Sequence, residues 1–254
     1  MIDLLIASVI QGVTEFIPVS SSLHLIIFDR FFSIKYLSLL IIAAMHMGSV
    51  IALIFFLYFD TGSKLNIYKN EKFIKSILIS SIPIFIFGYI FYDLIENFDR
   101  LNILIIFTTI FFGLVLFFSD YFSSAGRTLQ NIGWLDSIVL GFSQCLSLVP
   151  GVSRSASVII ASRFLKIDRE SSIIYSLLLS IPVILAAFCF ALYKIDIDAI
   201  FLNKIWIDII CSLFFSSVSS YITLRVFFKF SSSRGFGIFA FYRVILGLFL
   251  LFQL

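Results

Sequence analysis

Residues 11–24 read QGVTEFIPVSSSLH, and this short polar interruption decides how the chain folds. It lies within an apolar stretch of about 1–33, where a proline and three consecutive serines stop one helix and start another. Neither side reaches the ~20 apolar residues that a helix needs to cross a hydrocarbon core. A second interruption, QCLSLVPGVSRSAS at 144–157, divides the stretch 134–165 in the same way. One spanning helix kinked at Pro18 or Pro150 is the simpler reading of each. A re-entrant pair also explains the polar residues, because non-helical backbone survives at membrane depth only where protein or water satisfies its N–H and C=O groups. Each break is then expected to line a cavity.

The rest of the chain leaves little choice of solvent. Of its 254 residues, 61% are hydrophobic and 13% charged, and the mean hydropathy is +1.11. So few polar groups could not cover a water-facing surface. Apolar runs at about 36–59, 76–92, 102–118, 171–193, 207–229 and 236–252 read as six membrane crossings. The fold class is therefore an all-α polytopic membrane protein. Residues 1–10 carry Asp3 and no basic n-region, so the first helix is read as retained, not as a signal peptide. A net charge of +3 points to no nucleic-acid partner. Cys145, Cys189 and Cys211 lie in apolar segments with no C-x-x-C pair, which argues against a disulfide framework or a zinc site. A homo-oligomer is compatible with the sequence, which does not specify one.

The two broken stretches resemble each other. An offset of 133 residues pairs Gln11 with Gln144, Val19 with Val152, Ser20 with Ser153, Ser22 with Ser155, Arg30 with Arg163 and Phe31 with Phe164. The expected organisation is two repeats, 1–118 and 134–254, each a re-entrant pair followed by three crossings. A re-entrant pair returns the chain to its starting face and three crossings carry it over, so the second repeat enters from the opposite side and the topology is inverted. Charge sets the orientation. Lys64, Lys69, Lys72, Lys75, Arg127, Lys166, Arg169, Lys229 and Arg234 fall in connections assigned to the cytoplasm. Asp93, Glu96, Asp99 and Arg100, then Lys194, Asp196, Asp198 and Lys204, fall in those assigned outside. Both termini are then external, and the two breaks approach from opposite faces.

An ionisable side chain at membrane depth is unfavourable by roughly 2.5–3.5 kcal/mol on insertion scales and marks a candidate site. The first break supplies Gln11, Thr14, Glu15, Ser20, Ser21, Ser22 and His24; the second supplies Gln144, Ser147, Ser153, Arg154 and Ser155. Glu15 and Arg154 are natural partners, although a buried ion pair that merely pins the halves would account for them alone. It would not require serines or a histidine. Ser21 and His24 share a face if a helix begins after the serine run. The N-termini of the two second helices expose N–H groups that favour an anion, and Arg154 adds a planar fork suited to phosphate oxygens. Together these features describe a phosphate or diphosphate cradle.

At these residues the chain resembles the undecaprenyl-diphosphate phosphatases, the bacitracin-resistance protein family. QGVTEFIPVSSSLH is similar to the family element E/Q-G-x-T-E-F-x-P-x-S-S-x-x-H, and PGVSRSASV (150–158) to P-G-x-S-R-S-G-x-T. GFSQCLSLVPG (141–151) and FYRVILG (241–247) also fit, so the likeness spans nearly the whole chain. The resemblance implies a bacterial cytoplasmic-membrane enzyme that removes the terminal phosphate of undecaprenyl diphosphate, a prenyl diphosphate lipid, and returns the lipid carrier of wall synthesis. It implies a divalent cation, Mg2+ or Ca2+, with Glu15 as a ligand. It also implies Glu15 as the essential carboxylate, Ser21 as nucleophile, His24 as acid/base or phosphate ligand, and Arg154 as the clamp on the diphosphate. Gln11, Thr14, Ser20, Ser22, Gln144, Ser153 and Ser155 would bind substrate. Gln11 stands where many members have glutamate, Leu23 and Ala156 where glycine is usual, and Val158 where threonine is usual.

Two chemistries fit these residues. Glu15 could accept the proton of Ser21 as its oxygen attacks the terminal phosphorus, or a water activated by Glu15 or His24 could attack directly. The site is expected to open to the external side. A rival function is a transporter or flippase of a phosphate-bearing lipid, which would use the arginine and the helix ends but need no nucleophile.

Overall fold

The computed structural model describes residues 2–32, 38–61, 70–92, 94, 103–124, 126–194 and 206–253. Among them are ten α-helices: α1 (Ile2–Thr14), α2 (Ser21–Phe32), α3 (Leu39–Phe59), α4 (Glu71–Ile90), α5 (Ile103–Tyr121), α6 (Trp134–Cys145), α7 (Arg154–Phe164), α8 (Arg169–Tyr193), α9 (Trp206–Arg234) and α10 (Gly237–Leu251). The described residues contain no strand. Lys64, Lys69, Asp93, Glu96, Asp99, Arg100, Asp196, Asp198 and Lys204, used above to orient the chain, lie outside them.

Helices α3, α4, α5, α8 and α9 are each long and apolar enough to cross a membrane. The sixth expected crossing, 236–252, falls on the shorter apolar helix α10, 15 residues and about 22 Å long at 1.5 Å per residue. The reason lies in its neighbour. Helix α9 continues for 29 residues to Arg234 before Gly235, at φ +80, turns the chain. Little length then remains for α10.

Both interrupted stretches are pairs of short helices, α1 with α2 and α6 with α7. In each, a serine with φ +73, Ser20 or Ser153, stands just before the second helix. That conformation is unfavourable for a residue with a Cβ, and its appearance at paired positions marks one local design used twice. At Ser153 the side chain accepts from Ala156 N and caps α7. The two stretches exchange partners: α1 packs on α9, and α6 on α4. Glycine permits both approaches. A Cβ on Gly12 would stand 2.4 Å from Ser216 O, and one on Gly141 2.7 Å from Ser80 O.

Hydroxyls fasten these contacts where lipid offers no hydrophobic drive between helices. Ser220 Oγ donates to Gly12 O at 2.8 Å and Ser216 Oγ to Met45 O at 2.5 Å. On the other side, Tyr175 shares hydrogen bonds with Ser76 and Ser80 at 2.8 and 2.6 Å. The principal apolar core draws on Phe16, Phe56, Leu116, Ile159, Ile173 and Leu224, so it lies directly beside the first break.

The loose backbone of the breaks is held by Arg243 of α10. This side chain is fully buried, and it donates to Gly151 O at 2.7 Å, Val152 O at 2.9 Å, Thr109 O at 3.3 Å and Pro18 O at 3.4 Å. One guanidinium thus satisfies carbonyls of both interruptions. At one end of the bundle, Asp120 accepts from Arg163 at 3.0 Å, from Arg169 at 2.9 Å and from Phe236 N at 3.2 Å. That carboxylate ties α5 to α7, α8 and the start of α10.

Candidate active site

The two breaks meet. Ser155 Oγ of α7 donates to Ile17 O in the first break at 3.1 Å, and Arg154 Nη2 donates to Glu15 Oε1 at 2.9 Å. Glu15 is deeply buried, with a side chain 3% exposed, while Arg154 is 13% exposed. The pair therefore sits at the edge of an opening and not in a sealed core. Glu15 follows the last turn of α1, and Arg154 is the first residue of α7, so the exposed N–H groups of that helix lie beside its guanidinium.

Ser21 Oγ donates to Glu15 Oε2 at 2.9 Å. A hydroxyl bonded to a carboxylate has an acceptor in place for its proton. A polar cavity of about 150 Å3 lies over these groups, lined by Glu15, Ser20, Ser21, Ser22, His46, Ser147, Ser153 and Arg154. Two matched hydroxyl pairs stand beside it, Ser20 with Ser22 at 3.3 Å and Ser153 with Ser155 at 3.1 Å; Ser155 itself is buried behind the lining and bonded to Ile17 O. Each pair stands at a helix N-terminus, the arrangement that binds oxyanions.

Other residues expected in the site are placed differently. His24 belongs to a neighbouring space. Its Nδ1–H donates to Ser20 O at 2.8 Å, and its Nε2 accepts from Tyr242 O–H at 2.6 Å, so both ring nitrogens are engaged. With Thr14, Val13, Val226, Phe239 and Tyr242 it lines an apolar groove of about 630 Å3. Thr14 Oγ1 is turned back to Ile10 O at 2.6 Å. Gln144 is buried, with neither side-chain amide atom bonded, and it does not line the polar cavity. Gln11 Nε2 donates to Glu15 Oε2 at 2.5 Å.

Two residues escaped the sequence reading. His46 of α3 reaches Glu15 Oε2 with Nδ1 at 2.9 Å, and Arg243 supports both breaks from behind. Each had a signal. His46 is the one titratable group with a ring nitrogen in the otherwise apolar helix LLIIAAMHMGSVIALIFFLYF, and Arg243 is the one charged residue of α10. Set against motif-rich breaks, single residues in long apolar runs carried little weight.

A family model described as bacitracin resistance protein BacA matches residues 4–249 of the chain. The chain belongs to the bacitracin-resistance protein family. Relatives named "Undecaprenyl-diphosphatase" cover it almost end to end. The one from Campylobacter curvus is 33% identical over 262 residues, spanning 99% of this chain and 98% of the relative. That from Pelagibacter ubique is 32% identical, spanning 98% and 96%, and that from Campylobacter concisus 34% identical, spanning 98% and 97%. Members of the bacitracin-resistance family are thus matched over both breaks and over the helices that carry His46 and Arg243.

The donors around Glu15 fit a hard divalent cation held mainly by its substrate. Glu15 is the one carboxylate among the described residues that lines the polar cavity. No cluster of three His, Cys, Asp or Glu is gathered among the described residues. An all-protein cage is therefore not available there, whereas one carboxylate completed by phosphate oxygens and water matches the usual habit of Mg2+.

Proposed function

We propose that the chain is an integral membrane phosphatase that hydrolyses undecaprenyl diphosphate to undecaprenyl phosphate and inorganic phosphate. The observation that carries the reading is the Glu15 carboxylate bridging Ser21 of one break and Arg154 of the other. A carboxylate, a hydroxyl and a guanidinium gathered in one polar cavity suit phosphoryl transfer, which depends on positioning and charge stabilisation. A lipid carrier of similar architecture is not favoured, because the near-full-length relatives are named as diphosphatases and a carrier needs no nucleophile beside the carboxylate.

In this mechanism the terminal phosphate enters the polar cavity between the two helix N-termini. Ser21 Oγ forms a bond to the terminal phosphorus, and its proton passes to Glu15 Oε2. The bond from that phosphorus to the bridging oxygen breaks, and the prenyl phosphate leaves with the electron pair. Arg154, the N–H groups of α2 and α7 and the serine hydroxyls hold the equatorial oxygens. Water then attacks the phosphoserine, Ser21 Oγ leaves and takes back the proton held by Glu15, and inorganic phosphate departs carrying both hydrogens of the water. Glu15 would hold the divalent cation, which when bound would offset charge on the diphosphate oxygens. The leaving group is already a stable anion, so His24 need not protonate it. Its bonds to Ser20 O and Tyr242 support a role in shaping the junction between the polar cavity and the apolar groove.

We read the chain further as two inverted repeats, 1–118 and 134–254, in the bacterial cytoplasmic membrane, with both termini and the site opening on the external side. The matching φ of Ser20 and Ser153 and the exchanged packing of α1 and α6 support the repeat. Basic connections gathered at one end support the orientation: Arg127 N and Gly126 N donate to Lys166 O, and Arg169 donates to Ser233 O. The test is phosphate release from farnesyl or undecaprenyl diphosphate by the purified chain. Glu15→Gln, Ser21→Ala and Arg154→Ala should each fall by at least ~100-fold in kcat/KM, and a phosphorylated Ser21 should be trapped by mass spectrometry. Arg154→Ala with full activity would end the clamp assignment.

A further inference from the structure

The two oxygens of Glu15 keep different company. Oε1 accepts from Arg154. Oε2, which receives the Ser21 hydroxyl at 2.9 Å, also lies 2.9 Å from His46 Nδ1 and 2.5 Å from Gln11 Nε2. An amide nitrogen can only donate and an ionised carboxylate can only accept. Turning the Gln11 amide over would set its oxygen against Oε2, so Nε2 stays toward the carboxylate. By the same argument the hydrogen of a neutral His46 ring belongs on Nδ1, because a lone pair there would face Oε2. Gln11 Nε2 also lies 2.8 Å from His46 Nδ1, so the amide and the ring meet each other as well as Oε2.

This histidine is carried by α3, a full-length span, and not by either break. Its side chain is 27% exposed and borders the polar cavity with Ser21, Ser22 and Arg154. It is the cavity's anchor to the rigid part of the fold: α3 packs on both α9 and α8, whereas Glu15 and Ser21 flank non-helical backbone.

We propose that His46 is a positioning residue for phosphoryl transfer at this site. By donating from Nδ1 it fixes which carboxylate oxygen of Glu15 faces Ser21, and it references that oxygen to the spanning helix. The assignment rests on the phosphatase reading above. Misplacement of a reacting group by about 1 Å is enough to lower a rate ~100-fold, while substrate binding through Arg154 and the helix ends is left intact.

Asparagine and leucine have nearly the same shape, and the Nδ2 of asparagine falls where the Nδ1 of histidine was. The full chain is purified in detergent, and phosphate release from farnesyl diphosphate is measured to saturation for wild type, His46→Asn and His46→Leu. Thermal melting is recorded beside each. His46→Leu should lose about 10- to 100-fold in kcat with KM within about twofold. His46→Asn should return to within about threefold of wild type at an equal melting temperature to His46→Leu. His46→Leu at wild-type kcat overturns the proposal. So do equal losses in both variants, since the placed donor would then not be what matters. A wild type that releases no phosphate removes the phosphatase reading itself, an outcome separate from either of these.

Discussion

Replacing Arg243 by methionine tests how the two breaks are held open. The guanidinium is fully buried and pairs with no carboxylate among the described residues; it donates to Gly151 O at 2.7 Å and Val152 O at 2.9 Å, with longer contacts to Thr109 O at 3.3 Å and Pro18 O at 3.4 Å. Leaving a buried acceptor unsatisfied is unfavourable by about 1–3 kcal/mol. Two good bonds lost therefore come to roughly 2–6 kcal/mol, and the two long ones add little. Methionine recovers some of this, because a buried cation no longer has to be desolvated. The net expectation is a loss of about 2–4 kcal/mol, read as a clear fall in melting temperature in detergent. Activity should fall further than stability does, because the carbonyls released belong to the segments that carry Ser20, Ser21 and Arg154. Arg243→Lys should sit between the two, since an ammonium supplies three donors but not a planar fork. The measurement is a thermal melt paired with phosphate release below the melting range. If Arg243→Met melts with wild type and turns over at the wild-type rate, the breaks are held by something other than this side chain.

Asp120→Asn leaves Arg163 and Arg169 without their shared carboxylate; breaking a buried pair of this kind is destabilising by about 3–5 kcal/mol, to be seen as a lower melting temperature with the polar cavity chemically unchanged. Gly12→Ala places a Cβ 2.4 Å from the Ser216 carbonyl oxygen, so α1 and α9 must separate, and a stability loss of about 1–3 kcal/mol is expected in the same assay. Ser20→Val and Ser153→Val force a β-branched residue into φ +73; each should be less stable by about 1–3 kcal/mol, whereas the glycine replacements should not. EDTA should abolish phosphate release and Mg2+ or Ca2+ restore it, with Glu15→Gln unresponsive to either ion; activity that survives exhaustive chelation would remove the cation from the mechanism.

The breaks were legible because they violate the rule that governs everything around them. In a chain that is 61% hydrophobic, a glutamate, an arginine and clustered serines are each unfavourable, and matching residues at a constant offset drew the two breaks into one reading. That reasoning led to Glu15, Ser21 and Arg154, which the fold brings within hydrogen-bond reach of one another. It assigned the wrong neighbourhood to His24. Three residues from Ser21 on one helix is the right spacing for sharing a face, but spacing does not say which of two adjoining cavities that face meets. Here the ring is turned by two bonds of its own, to Ser20 O and Tyr242, toward the apolar groove.

The residues that were not legible share one property: their partners are distant in sequence and are backbone or a single oxygen. Arg243 serves carbonyls 91 and 92 residues away, and others farther still, a role that no local pattern announces, since any carbonyl will do. His46 serves an oxygen already claimed by Ser21, on a carboxylate whose other oxygen Arg154 takes. The same logic explains why α10 is shorter than the apolar run 236–252. Its apolar run is long enough only if it starts where α9 stops being needed, and the position of that stop is set by Gly235, which packs against Arg169 and Asp120. Where a turn is dictated by a tertiary ion pair and not by local composition, hydropathy gives the existence of a helix but not its length. The chemistry of this protein depends on such supports. A carboxylate poised over a serine is useful only if rigid helices fix its direction: α3 reaches that carboxylate through His46, while α10 through Arg243 and α5 through Thr108 hold the backbone of the breaks.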